Sequence, residues 1–173
     1  MSAKIDPKFI HLFIALLAII LCIFLLTLDS DADELPDPNL TQGVAREVTV
    51  DQLCTTSTKL VRHTSQATKL AVYKEYGITP KHSPECTGPS HSCFEVDHDI
   101  ALENGGADVI ENMWIQEYEI IPNDPSWQNN GAHKKDKLEN KLHKLICDKE
   151  MTIHEAQQCI SSDWIACYMK VMP

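Results

Sequence analysis

The hydrophobic pattern divides the chain before any single residue does. From Phe9 to Leu28 no side chain carries a formal charge. At about 1.5 Å rise per residue, a helix of that length spans about 30 Å, the hydrocarbon thickness of a bilayer. Lys4 and Lys8 precede it, and Asp29, Asp31, Asp33 and Glu34 follow. Basic flanks stay cytoplasmic, so the pattern predicts a cytoplasmic stretch over 1–8, one transmembrane anchor over 9–28 and a C-terminal body across the membrane. The competing reading is a cleaved signal peptide, whose apolar core is normally shorter and ends in a small-x-small site. Ser30-Asp31-Ala32 is a weak candidate for that site. Pro36 and Pro38 among acids then read as an acidic linker over 29–47.

The remaining stretch, 48–173, has the periodicities of one domain. Val48–Leu53 reads as a short strand. Thr64 or Ser65 can cap a helix running to about Tyr76, with Gly77 and Pro80 ending it. Pro80–Ser92 is a loop by its Pro, Gly and Ser content. Cys93–Leu102 alternates as a strand, Gly105-Gly106 offers a turn, and Asn112–Ile115 can return as a second strand. After a loop with Pro122, Pro125 and Gly131, Ala132–Cys147 places Leu138, Leu142, Leu145 and Ile146 on one helical face. Thr152 and Glu155 form a capping box for a last helix, jointed near Ser162-Asp163.

Cysteine content changes the picture of what holds this body together. Six cysteines, Cys54, Cys86, Cys93, Cys147, Cys159 and Cys167, lie beyond the apolar span. An even number in a body placed outside the cytoplasm reads as up to three disulfides, with 15 possible connectivities. Zinc competes at His82, Cys86, His91 and Cys93, but their spacing matches no common zinc ribbon. Net charge is −10, which is awkward for a nucleic-acid enzyme. Its distribution softens the objection: residues 53–81 carry +4 and residues 131–149 carry +3, around an acidic stretch over 96–130. Two basic segments suit phosphate contacts, and equally suit ordinary solvated faces.

Candidate chemistry concentrates in Glu95-Val96-Asp97-His98-Asp99. Hydrolysing a phosphodiester needs a base near neutral pH, which histidine supplies, and a cation that a neighbouring carboxylate can hold. Strand alternation sends Asp97 and His98 to opposite faces, so both can serve one site only if the strand twists or bulges. The wider string Glu95–Gly106, followed by Ile110-Glu111-Asn112-Met113-Trp114 and by Ala132–His143, resembles the core of HNH (His-Me finger) endonucleases. The resemblance extends over about residues 50–170, through Cys54, Val61-Arg62, Leu145-Ile146-Cys147, Thr152 and Asp163-Trp164.

That resemblance implies an α+β fold: a ββα-metal core with flanking helices, preceded by the single transmembrane helix. It implies His98 as general base, Asp97 as metal ligand and Asn112 as the brace of the hairpin. A further ligand would come from the helix, His133 or Asp136 ahead of His143. The implied cofactor is a divalent metal, Mg²⁺ with Mn²⁺ as the alternative. Arg62, Lys134 and Lys135 are candidate phosphate contacts. The function expected is a DNA endonuclease of little sequence specificity, with DNA favoured over RNA as partner, tethered to a membrane and facing an oxidising compartment such as the periplasm. A non-catalytic HNH-like module binding nucleic acid or protein is the alternative, as is an exported toxin-like nuclease. The family's structural CxxC zinc pair does not occur here, which leaves disulfides to take its stapling role.

Overall fold

A computed structural model describes residues 35–118 and 131–172 of the chain. The elements are α1 (Val50–Thr55), α2 (Gln66–Glu75), β1 (Phe94–His98), β2 (Met113–Glu117), α3 (Ala132–Cys147), α4 (Ile153–Ser162) and α5 (Trp164–Val171). Short 3₁₀ turns at Leu102–Asn104 and Ile110–Asn112 lie between the strands. The described residues form a small mixed α/β body of five helices around one two-stranded sheet.

Local chemistry accounts for most element boundaries. Ser65 caps α2 by accepting from Thr68 N, and Gly77 ends the helical run at φ +67°. Thr152 and Glu155 form the expected capping box on α4. Asp163 caps α5 through Ala166 N, which separates it from α4 at the predicted joint. Val48–Leu53 departs from the strand expectation. Thr49 and Gln52 form a reciprocal capping box, and that local gain turns 50–55 into α1.

The strands pair antiparallel, with Val96 opposite Ile115 and His98 opposite Met113. Alternation then feeds two cores. Met113 and Ile115 pack with Val72 of α2, Phe94 and Val96. Trp114 packs with Ile100 and with Leu138, Leu142 and Ile146 of α3, beside Ile160 and Trp164. Burying each of these large side chains stabilises the fold by about 1.5–3 kcal/mol. Gly106 is required by close approach, because a Cβ there would lie 1.7 Å from Ile100 O.

Three disulfides join Cys54 to Cys147, Cys86 to Cys93 and Cys159 to Cys167. They staple α1 to α3, close the Pro80–Ser92 loop and tie α4 to α5. Cys86 and Cys93 are thereby committed to sulfur, which removes the zinc reading of that loop. Three disulfides fit an oxidising compartment outside the cytoplasm.

The expected architecture needs correcting. Among the described residues no helix is long and apolar enough to cross a membrane, and the anchor read over 9–28 lies outside those residues, as does the loop with Pro122 and Pro125. The ββα-metal core preceded by a transmembrane helix therefore gives way to the mixed α/β body above. Residues 35–47, read as part of a spacer, pack onto that body. Gln42 N donates to Glu111 O, Arg46 N donates to Gly105 O, and the Thr41 side chain is buried.

Candidate functional site

The segment from Asp99 to Asn112 replaces the tight hairpin with a long connection, and Asn112 holds it in place. Its Oδ1 accepts from Ile100 N at 3.0 Å, and its Nδ2 donates to Ile100 O and Ala107 O at 2.9 Å each. Asp99 N closes the ring by donating to Asn112 O. Every polar atom of this buried amide side chain is thus spent on the backbone beyond His98, which fixes where β1 ends.

A polar cleft of about 160 Å³ opens at that end. It is lined by Asp97 and His98 of β1, Glu103 of the connection, Asp136, Glu139 and Asn140 of α3, and Arg62. The alternation objection resolves without a bulge. Asp97 points toward α3 and His98 toward the segment before α2, and the strand stops at His98, so one cleft reaches both faces.

His98 is buried, and its Nε2 lies 2.8 Å from Asp108 Oδ1. Asp108 is itself anchored by the Thr64 hydroxyl at 2.5 Å and by the His63 backbone N–H. Burial pushes the Asp108 carboxyl up, but those donors and His98 together hold it below the usual carboxylate range. An ionised carboxylate only accepts, so Nε2 carries the proton and the lone pair sits on Nδ1. For His98, burial lowers the pKa and the charge of Arg62 pushes the same way, against the raising effects of Asp108 and Asp97. The imidazole is therefore kept neutral, with its lone pair on Nδ1.

Lys135 is wholly buried beneath the cleft. Its ammonium donates to Asp97 Oδ2 at 2.7 Å, to His98 O at 2.7 Å and to Glu139 Oε1 at 2.5 Å. All three N–H donors are used. Burial lowers the Lys135 pKa, but the charges of Asp97 and Glu139 and their hydrogen bonds outweigh it, so the group stays protonated. Burial pushes Glu139 up, and Asp97 and Asp136 add to the push while Lys135 opposes it. Burial likewise raises Asp99, to about 7.

The structure separates the residues that the sequence grouped. Asp97, His98, Asp136 and Arg62 share the cleft. His133 packs its ring against Tyr118, with centroids 5.4 Å apart, while its Nδ1 stays 3.9 Å from Asp136 Oδ2. His143 Nδ1 lies 2.7 Å from Glu103 O. Lys134 and Lys135 need correcting as phosphate contacts, because α3 turns both inward: Lys134 is buried with its ammonium 4.5 Å over the Tyr168 ring, and Lys135 is fully buried. Asp108 and Glu139 were not singled out from the sequence. Glu139 follows Lys135 at i+4, a legible ion-pair spacing, whereas nothing local ties Asp108 to His98.

The donor chemistry can be tested against the divalent metal that the resemblance implies. Four carboxylates line the cleft against Arg62 and the Lys135 ammonium, a formal excess of two negative charges on hard oxygen donors. Among the described residues, no three His, Cys, Asp or Glu side chains already surround one point. Mg²⁺ keeps most of its waters and needs only one or two carboxylates. The residues fit such a hydrated cation held by Asp97 and Asp136, and do not fit an all-protein cage.

No known family profile matches the chain, and no curated protein or solved structure is similar to it.

Proposed function

We propose that the chain is an HNH-type endonuclease that hydrolyses phosphodiester bonds in DNA with little sequence specificity, working in an oxidising compartment outside the cytoplasm. The observation that carries this reading is His98, a neutral imidazole oriented by an ionised Asp108, in one polar cleft with Asp97 and Asp136.

His98 takes a proton from water at Nδ1, and the charge that develops on the ring is offset by Asp108 across the 2.8 Å contact. Lys135 holds Asp97 from beneath and pins the His98 carbonyl, so base and carboxylate keep a fixed separation. In this reading Arg62, exposed and lining the cleft, meets a non-bridging phosphate oxygen. Asp97 and Asp136 would hold the divalent cation, which supplies charge neutralisation at the phosphoryl group when bound. The excess of negative charge in the cleft is the reason a cation is needed before a phosphodiester can approach.

The test is nicking of supercoiled plasmid by the disulfide-intact full chain with Mg²⁺ or Mn²⁺, beside His98→Ala and a single-stranded RNA arm. We expect metal-dependent DNA cleavage that falls by roughly 10²–10⁴-fold in His98→Ala, the usual size of a general-base contribution. A second reading is a non-catalytic module that binds nucleic acid or protein. It is favoured by the Lys135 ammonium, which already occupies one side of Asp97. A folded protein that cuts neither DNA nor RNA with either metal would leave that second reading standing alone.

A further inference from the structure

The three disulfides differ in what surrounds them. Cys86, Cys93 and Cys167 are buried, so neither of their two bridges exposes both of its cysteines. Cys54 and Cys147 are both half-buried. They sit in the last turns of α1 and α3, and residues 55–57 and 148–150, which follow them, are exposed. His143, one turn before Cys147 on α3, has its Nε2 3.6 Å from Cys147 Sγ and its Nδ1 2.7 Å from Glu103 O. A carbonyl oxygen only accepts, so Nδ1 keeps its hydrogen and Nε2 is the nitrogen that gains or loses a proton, facing the sulfur. Among the described residues, no other disulfide has a histidine ring in hydrogen-bond reach.

The rate of thiol–disulfide exchange depends on how readily one sulfur leaves as a thiolate. Cys147 is poorly placed to do so unaided. It is the last residue of α3, where unpaired carbonyls form the negative end of the helix dipole, and Asp148 follows it. A proton delivered to the sulfur removes that obstacle, and His143 is the group within reach.

We propose that Cys54–Cys147 is a thiol-exchange site, opened by small thiols at Cys54 with Cys147 as the leaving sulfur and His143 as its proton donor. The incoming thiolate bonds to Cys54 Sγ and the Sγ–Sγ bond breaks. Its electron pair goes to Cys147 Sγ, which takes the proton from the His143 imidazolium at Nε2. The small thiol is oxidised into a mixed disulfide on Cys54, Cys147 is reduced to a thiol, and the ring is left neutral with its Nδ1–H still on Glu103 O. The fold holds the two Cα atoms 5.7 Å apart, so Cys147 can run the sequence in reverse and expel the small thiol. The exchange therefore makes and breaks the covalent tie between α1 and α3, and it does not depend on the nuclease reading.

The experiment blocks free thiols of the native full chain with N-ethylmaleimide, adds β-mercaptoethanol, quenches with excess maleimide at set times and maps each cysteine by peptide mass spectrometry. Cys54–Cys147 should open about tenfold faster than either other bridge, with the mixed disulfide on Cys54 and the alkylated thiol on Cys147. His143→Gln, whose amide still donates to Glu103 O but has no proton to transfer, should slow that opening about fivefold while Cys159–Cys167 keeps its native rate. Mere loosening of the helix would do the opposite and speed it. The order of opening and the place of the mixed disulfide are read on the native chain and need no variant. Another bridge opening first, or a mixed disulfide on Cys147, overturns the proposal. So does unchanged or faster opening of Cys54–Cys147 in a His143→Gln chain whose Cys159–Cys167 bridge keeps its native rate.

Discussion

Replacing Lys135 with methionine removes the ammonium that Asp97 and Glu139 share at 2.7 and 2.5 Å. Methionine fills a similar volume, so the perturbation is electrostatic more than steric. Removing one partner of a buried ion pair typically costs about 3–5 kcal/mol, because the remaining charge is left uncompensated. Here two carboxylates lose their counter-charge, and His98 O loses a donor. The variant can escape part of that cost by taking up a proton on Glu139, which burial already pushes upward. We therefore expect a loss of about 3 kcal/mol at pH 7. In the variant the carboxyls have folded-state pKa values raised above their unfolded ones, so the native state binds more protons between those values. Stability must then fall as pH rises through that window, and the loss should shrink toward about 1 kcal/mol at pH 5. Urea unfolding, followed by the fluorescence of the buried Trp114 and Trp164, measures both quantities. Adding Glu139→Gln should restore at least half of the lost stability at pH 7. A loss below about 1 kcal/mol at pH 7, or one that does not change with pH, would refute the buried-ammonium account.

Four other outcomes rest on the same packing and hydrogen bonds. Removing the Cys54–Cys147 disulfide by paired alanines should cost about 4–5 kcal/mol by loop-closure entropy, against about 2.5 kcal/mol for Cys86–Cys93, since the sequence separations are 93 and 7; equal losses in chemical denaturation would contradict this. Asn112→Ala strands three backbone groups in a buried site, so a loss of about 3–5 kcal/mol is expected in the same assay. Asp99, raised to about 7 by burial, destabilises the fold as pH rises from its unfolded value through that point, so Asp99→Asn should gain about 2 kcal/mol at pH 8 and nothing at pH 4; a gain at pH 4 would break the linkage. In the nuclease assay, burial keeps His98 neutral below its ordinary pKa, so the acid limb of kcat/KM should fall below pH 6.5. Asp108→Asn removes a raising influence and should move that limb lower still, with kcat reduced, whereas an unmoved limb would deny Asp108 any hold on the base.

Elements governed by short-range rules were legible in the chain itself. The extent of α3, the capping box of α4 and the Asp163 joint follow from periodicity and capping, which act within one or two turns. Six extracytoplasmic-type cysteines announced disulfides, although their pairing waited on which helices meet. The DH pair and Asn112 were visible as residue types, because phosphodiester chemistry needs that pair on any scaffold. Tertiary structure decided what the side chains face. α3 buries Lys134 and Lys135, which an exposed basic run would have shown to solvent, because Leu138 and Leu142 set its rotation against the sheet. His133 turns to Tyr118 and Asp136 to the cleft for the same reason. Asp108 meets His98 across ten residues of irregular connection, a pairing that no local spacing encodes. The two strand faces reach one site because β1 ends at His98, and it ends there because Asn112, fourteen residues on, takes the backbone that follows. Sequence specifies local preference and chemical inventory; long-range packing decides which of those groups share a solvent-free contact, and that is what sets their charge.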